Sequence, residues 1–309
     1  MRSRAPARLS RRRRLGRRPD TAWFPDAPAT RLALLRILVG GWALQHYAKR
    51  WPMLKRVART DESLFAPVGV VKLLDRPLDP AAFQALLAGT QAANVAFLLG
   101  WRHRATGPLF AGSLLSLGSY RNSWSMVYHS DNILILHVLV LGLAPAADTL
   151  SLDARRTRGS VGAGADVAWR YGWPIQLIKT LTALTYFVAG VAKLKGPLGL
   201  RWATGESLRS QVLADGLRKE LMGDGAAPLA FTLYRQLALF RVLAVGSLLL
   251  ELGAPLALLD RRLARLWAVN VFMMHWGIYL IMRIKFRYQQ SGLVFAPFFD
   301  VERVTARLP

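Results

Sequence analysis

The chain contains no cysteine, and this absence removes disulfides, thiolate nucleophiles, thiolate-held metal clusters and palmitoyl anchors. Acidic residues are scarce, 18 Asp and Glu against 42 Lys and Arg, and histidine occurs 5 times. No GxGxxG, Walker loop, HExxH or GxSxG stands in a suitable chain context, so nucleotide-binding, zincin and serine-hydrolase sites have no support. Chemistry must come from His, Lys, Arg, Asp, Glu, Tyr or a cofactor that these residues do not name, and no metal site is read from them.

What is present is apolar and basic. Of 309 residues 53% are hydrophobic, and the formal net charge is +24. Such a charge could suit nucleic acid, but 80–101, 105–120 and 132–147 carry no charged residue at all, which a soluble nucleic-acid binder should not show. The combination predicts an all-α, polytopic transmembrane bundle with basic flanks, whose partner is the lipid bilayer and not a nucleic acid.

Apolar helices are predicted at about 31–48, 80–101, 105–128, 130–147, 173–193, 236–259 and 264–283. Seven spans follow, and an eighth is left open by "SGLVFAPFF" at 291–299, which is short, broken by Pro297 and read as re-entrant or interfacial. Residues 1–29, with nine arginines in the first 18, read as a disordered cytoplasmic tail rather than a cleaved signal. The transmembrane domain is placed at 30–300 and a short tail at 301–309.

With the start inside, "WRHR", "DARRTR" and "DRRLAR" fall on the cytoplasmic side, giving a multi-pass protein of the cell membrane with its N-terminus in the cytoplasm. The exception is 49–79, which carries seven basic residues and would lie outside; its "SLFAPVGVVKLL" reads as an amphipathic or re-entrant piece at the headgroups. "WATGESLRSQVLADGLRKELM" has the spacing of an amphipathic surface helix capping an outward cavity.

Ionisable groups at bilayer depth cost roughly 2.5–3.5 kcal/mol each on insertion scales, so each needs a partner, water or a use. Arg36 and Glu251 lie at similar depth and are expected to pair, as a register-fixing ion pair or a functional one. Toward the outer ends His46, Arg121, His129, Asp131, Lys193 and Arg241 collect, and one aqueous-facing pocket would hold them. Lys193 reads as a snorkelling anchor or as a base whose proton affinity is lowered by Arg121, with His129 as hydrogen-bond partner. Lys179 and Lys195 read as plain anchors. His137 and His275 face mid-span and read as interhelical hydrogen-bond formers, with bis-histidine haem ligation as the other reading.

Three stretches then form a pattern: "RLALLRILVGGWAL", "SYRNSWSMVYHSDNILIL" and "WPIQLIKTLTALTYFVAGVAKLKG" followed by "RWATGESL", with "LLLELGAPLALL" and "FMMHWGIYL" further on. The pattern resembles the HTTM (horizontally transferred transmembrane) family, related to the vitamin K-dependent gamma-carboxylases. The resemblance implies that Lys193 is the base that deprotonates a reduced quinone and that His129 supports it. Ala192 stands where the carboxylases carry a second lysine, and at 309 residues no counterpart of their large extracytoplasmic domain is expected. In size it is similar to the bacterial membrane component of sporulation-delaying-toxin maturation, which implies a small exported peptide and a companion maturation protein as partners.

The expectation is therefore a membrane protein with an outward polar site, catalytic Lys193 and His129, and substrate-binding His46, Arg121, Asp131 and Arg241. It would bind a quinone or lipid and act in maturation of an exported peptide or protein. The alternatives are a non-enzymatic membrane binding or scaffold protein and a carboxylase-like enzyme. A transporter finds no matching broken helices or inverted halves.

Overall fold

The structure is a computed structural model that describes residues 23–158 and 166–305. The arginine-rich start and most of "GSVGAGADV" lie outside the described residues. Twelve α-helices follow in order among those residues: α1 Ala29–Val57, α2 Pro80–Leu99, α3 His103–Asn122, α4 His129–Leu143, α5 Leu152–Arg158 and α6 Trp169–Lys195, then α7 Glu206–Leu221, α8 Pro228–Leu233, α9 Leu237–Leu252, α10 Arg261–Met282, α11 Arg287–Gln290 and α12 Glu302–Thr305. Each of the seven predicted apolar segments coincides with one long helix, and among the described residues the only sheet is a two-residue antiparallel pair, β1 Ala27–Pro28 with β2 Val167–Ala168. That pair ties the start of α1 to the start of α6, and Ala29 adds an N–H bond of 3.0 Å to the Asp166 carbonyl.

The ends of the helices are written locally. Asp79 caps α2 by accepting from the N–H groups of Ala81 and Ala82, with Pro80 at the first helical position where its missing N–H costs nothing. Gly100 closes the same helix in the left-handed region, φ 62°. Asp260 caps α10 in the same way through Arg262 and Leu263. Between neighbours, α3 and α4 approach so closely that a Cβ on Gly107 would stand 2.3 Å from the Gly142 carbonyl oxygen, the small-residue contact that lets helices pack without a hydrophobic drive.

Two helices, Pro80–Leu99 and Trp169–Lys195, are long and apolar enough to cross a membrane. Of the most apolar window in each, 33% is buried. A soluble core helix would bury most of that window, so these apolar residues face outward, as do Leu109, Val188, Val242, Leu249 and Leu266.

Arg36 is buried completely and does not pair with Glu251. Its guanidinium donates to the carbonyls of Phe97, at 3.0 Å, and Leu150, at 2.6 Å. The expected ion pair fails because Arg36 faces the C-terminal end of α2, where helix carbonyls lack partners and the helix dipole is negative. Glu251 faces α6 instead.

The stretch 283–299 corrects the interfacial reading of "SGLVFAPFF". It continues as α11 and a 3₁₀ segment, Leu293–Phe298, and buries Tyr288, Gln289, Val294, Phe295, Pro297 and Phe298 in the interior, while Arg283, Lys285, Arg287 and Ser291 stay exposed. Arg283 lies by the Gly225 carbonyl, Tyr288 meets His137 and Trp42, Phe295 packs on Tyr186 and Trp267, and Asp300 reaches Arg31 at the start of α1. Pro297 forbids a regular helix here, and the irregular backbone is tolerated because protein surrounds it.

Candidate functional site

The expected outward set divides into two groups. The first sits where α1 and α3 end and α4 begins. Asp131, in the first turn of α4, is buried and forms ion pairs with Arg121 and, at 3.4 Å, with Arg50. His46, four residues before Arg50 and hence on the same helical face, accepts from Arg50 at 3.0 Å and stacks on Trp42 with ring centroids 4.4 Å apart. Because a guanidinium only donates, the His46 Nε2 that receives it carries no proton. Arg121 also lies over the Tyr128 ring, 3.7 Å from its centroid. Arg50, Tyr128 and Trp42 were missed from sequence; the i,i+4 spacing of His46 and Arg50 was the available signal.

The second group lies between α6 and α9. Lys193 donates to both carboxylate oxygens of Glu251, and its ammonium sits 5.4 Å from the Trp202 ring centroid. The lysine retains some exposure, while the carboxylate is nearly enclosed, with side-chain exposures of 24% and 8%. Gly190 makes this contact available. One turn before Lys193, its missing side chain lets α9 come close; a Cβ there would be 3.0 Å from the Glu251 Cβ and from Leu252. Trp267 steadies the same turn of α9 by donating to the Leu250 carbonyl at 2.8 Å.

A cavity of about 590 Å³ opens beside this pair. Its walls come from α7, α9, α10 and Phe286, with Trp202, Val212, Leu243 and Met273 among the apolar lining and Lys193 and Glu251 as its charged members. The amphipathic helix expected after "RWATGE" is α7, and its Leu208, Gln211 and Val212 form one wall. A roomy, mostly apolar space with one charged couple accommodates an amphipathic molecule better than a metal. No group of three or more His, Asp or Glu suited to a metal occurs among the described residues.

His46, Arg121 and Asp131 do not line this cavity, and Arg241, exposed on α9, belongs to neither group. His129 starts α4, but its side chain lies outside the described residues, so the partner seen for Lys193 is Glu251. His137 and His275 sit apart from each other on separate tyrosines. His137 bonds Tyr288 and Thr182, both at 2.9 Å, and His275 bonds Tyr186 at 2.8 Å. The nitrogens that haem iron would take on His137 are thus both engaged, which favours the interhelical reading over bis-histidine ligation. Lys179 is partly buried and stands near Arg31, Arg261 and Asp300.

No curated protein and no solved structure matches the chain significantly. The family model of the HTTM domain matches residues 24–299. That match spans nearly all of the described helices and both groups of candidate residues, and the chain belongs to the HTTM-domain family of membrane proteins.

Proposed function

We propose that the protein binds a quinone-like or lipid molecule in the cavity beside Lys193 and Glu251, exchanges a proton with its polar head, and so serves the maturation of an exported peptide or protein. The observation that carries the reading is the ion pair in the wall of a mostly apolar cavity of about 590 Å³. In its charged form, the Glu251 carboxylate takes the proton of a hydroquinone hydroxyl while the Lys193 ammonium stabilises the oxyanion left behind. In its neutral form, the Lys193 amine is the acceptor. Either way one proton leaves the ligand and stays on the pair. His129 remains a candidate supporting group at the start of α4.

The bundle is read as multi-pass, with the N-terminus cytoplasmic. Arg31 and Arg50 on α1 are 19 residues apart, a rise of about 28 Å, close to the roughly 30 Å of a bilayer's hydrocarbon core. Each lies in an ion-pair cluster, with Asp300 and Asp131 respectively.

The test is binding and turnover in lipid nanodiscs with a short-chain naphthoquinol as probe, read by quenching of tryptophan fluorescence. Lys193→Met and Glu251→Gln should each weaken binding at least tenfold and stop peptide maturation while the helical signal persists. Unchanged binding and maturation in both variants overturns the reading. A non-enzymatic binding role has one observation in its favour, that Lys193 and Glu251 neutralise each other without a substrate. It predicts that the double variant Lys193→Met with Glu251→Met keeps full function.

A further inference from the structure

The seven basic residues of 49–79 run against the positive-inside pattern, and the site around Lys193 does not use them. The structure shows where one of them goes. Arg50 converges with Arg121 on Asp131, and Arg287 of α11 faces the same place, its charge acting on both His46 and Arg50. His46, accepting from Arg50, adds no charge. Arg50 and Arg121 therefore share one carboxylate, the exposed Arg287 adds a third positive charge nearby, and among the described residues no ion pair to another carboxylate is formed by any of the three. Arg121 cannot escape to water as an exposed arginine does, since only 7% of its side chain is accessible. An excess of buried positive charge is costly unless an anion completes it.

The surroundings suit such an anion. α4 begins at this end without a side-chain cap, and the helix is long enough, 15 residues, for its dipole to add positive potential. The Arg121 guanidinium lies over the Tyr128 ring, 3.7 Å from its centroid, which restrains the position of its N–H fork. Guanidinium forks of fixed plane match phosphate oxygens better than point charges do. The cluster lies about 28 Å along α1 from Arg31, at the depth of the phosphate layer when Arg31 marks the opposite boundary. Beside it the stretch 62–73 turns Leu64, Val70 and Leu73 outward, and is pinned to the end of α3 by Ala66 N–H to the Ser123 carbonyl and Val68 N–H to the Ser123 hydroxyl. Apolar side chains beside a basic cluster are what an acyl chain and its headgroup would meet together.

We infer that Arg50, Arg121 and Arg287 form a binding site for a phosphate oxyanion, supplied either by the phosphodiester of an anionic lipid or by free phosphate. Asp131 is the internal counter-charge that holds Arg50 and Arg121 in position, and the bound oxyanion offsets the remaining charge. The site is independent of the proposed chemistry at Lys193.

The full chain in nanodiscs provides the test. One arm compares phosphatidylglycerol with phosphatidylcholine nanodiscs and counts, by native mass spectrometry, the lipids retained on release from the disc. The other titrates inorganic phosphate and follows thermal unfolding in phosphatidylcholine. Phosphatidylglycerol should be retained at least tenfold better than phosphatidylcholine, and less so at high salt. The double variant Arg50→Gln with Arg287→Gln should abolish that preference, whereas Lys193→Met should leave it intact. Inorganic phosphate that stabilises the wild type but not the double variant, without lipid preference, identifies free phosphate as the source. Equal retention of both lipids, together with an equal phosphate response in wild type and double variant, overturns the proposal. Arg287 is exposed, so the single variant Arg287→Gln, which should lose part of the same preference, guards against misfolding of the double.

Discussion

At the scale of single residues, two arginines of the same helix illustrate opposite solutions to one problem. Arg36 donates to main-chain carbonyls, whereas Arg50 meets side chains, His46 and Asp131. Replacing Arg36 by Met should therefore destabilise the bundle, by about 2–4 kcal/mol from the loss of two hydrogen bonds to a charged donor, without altering ligand affinity. Denaturant-titrated unfolding in detergent measures the first and quinol titration the second. Gly190 makes the converse prediction. A Leu at this position should push α9 away from α6, separating Lys193 from Glu251 and weakening probe binding at least tenfold, with a smaller effect on insertion. The ion-pair partners were the part of the site least legible in the sequence. Depth along a helix can be counted, which placed Arg36 and Glu251 at similar levels. The direction in which each side chain faces depends on how helices are rotated in the bundle, and no spacing states that. Lys193 and the trio His46, Arg121 and Asp131 were recognised as residues needing partners, while Arg50 was counted only among the seven basic residues of 49–79 and Arg287 was not singled out.

At the scale of elements, the apolar periodicity was enough to find every long helix, because a run of apolar residues between charges has one regular solution in lipid. Boundaries also followed local chemistry. Asp79→Ala should cost about 1 kcal/mol through loss of the α2 cap, seen as a small fall in the melting temperature with no change in phospholipid preference. The stretch 283–299 was not legible in this way. Its Pro297 and its shortness argue correctly against a regular helix, yet a broken segment can still pass through a protein interior when tyrosines and phenylalanines fill the surrounding space. Its path depends on His137, Tyr186 and Trp267, which lie far away in sequence.

For the whole molecule, the absence of cysteine becomes an experimental advantage, since single cysteines can be introduced without background. A cysteine at Arg104, Thr157 or Arg303 should react with a membrane-impermeant maleimide from one side only, and one at Ser125 or Met222 from the other. Labelling of Arg303→Cys from the same side as Ser125→Cys would contradict a complete passage of 283–299 through the bundle. The two groups of charged residues divide the interior accordingly, one between α1, α3 and α4 and the other between α6 and α9, and the family match embraces both.

The threaded stretch also sets an order of assembly. It follows in synthesis every helix that it packs against, so Tyr288, Phe295 and Phe298 can reach their places only after α1, α4, α6 and α10 have been made. During translation those helices must stand together with their inner faces lacking these aromatics. Closure of the core is then a late, post-insertional event, and a ribosome arrested before residue 283 should leave an inserted bundle that proteases cut within its helices until the final residues emerge.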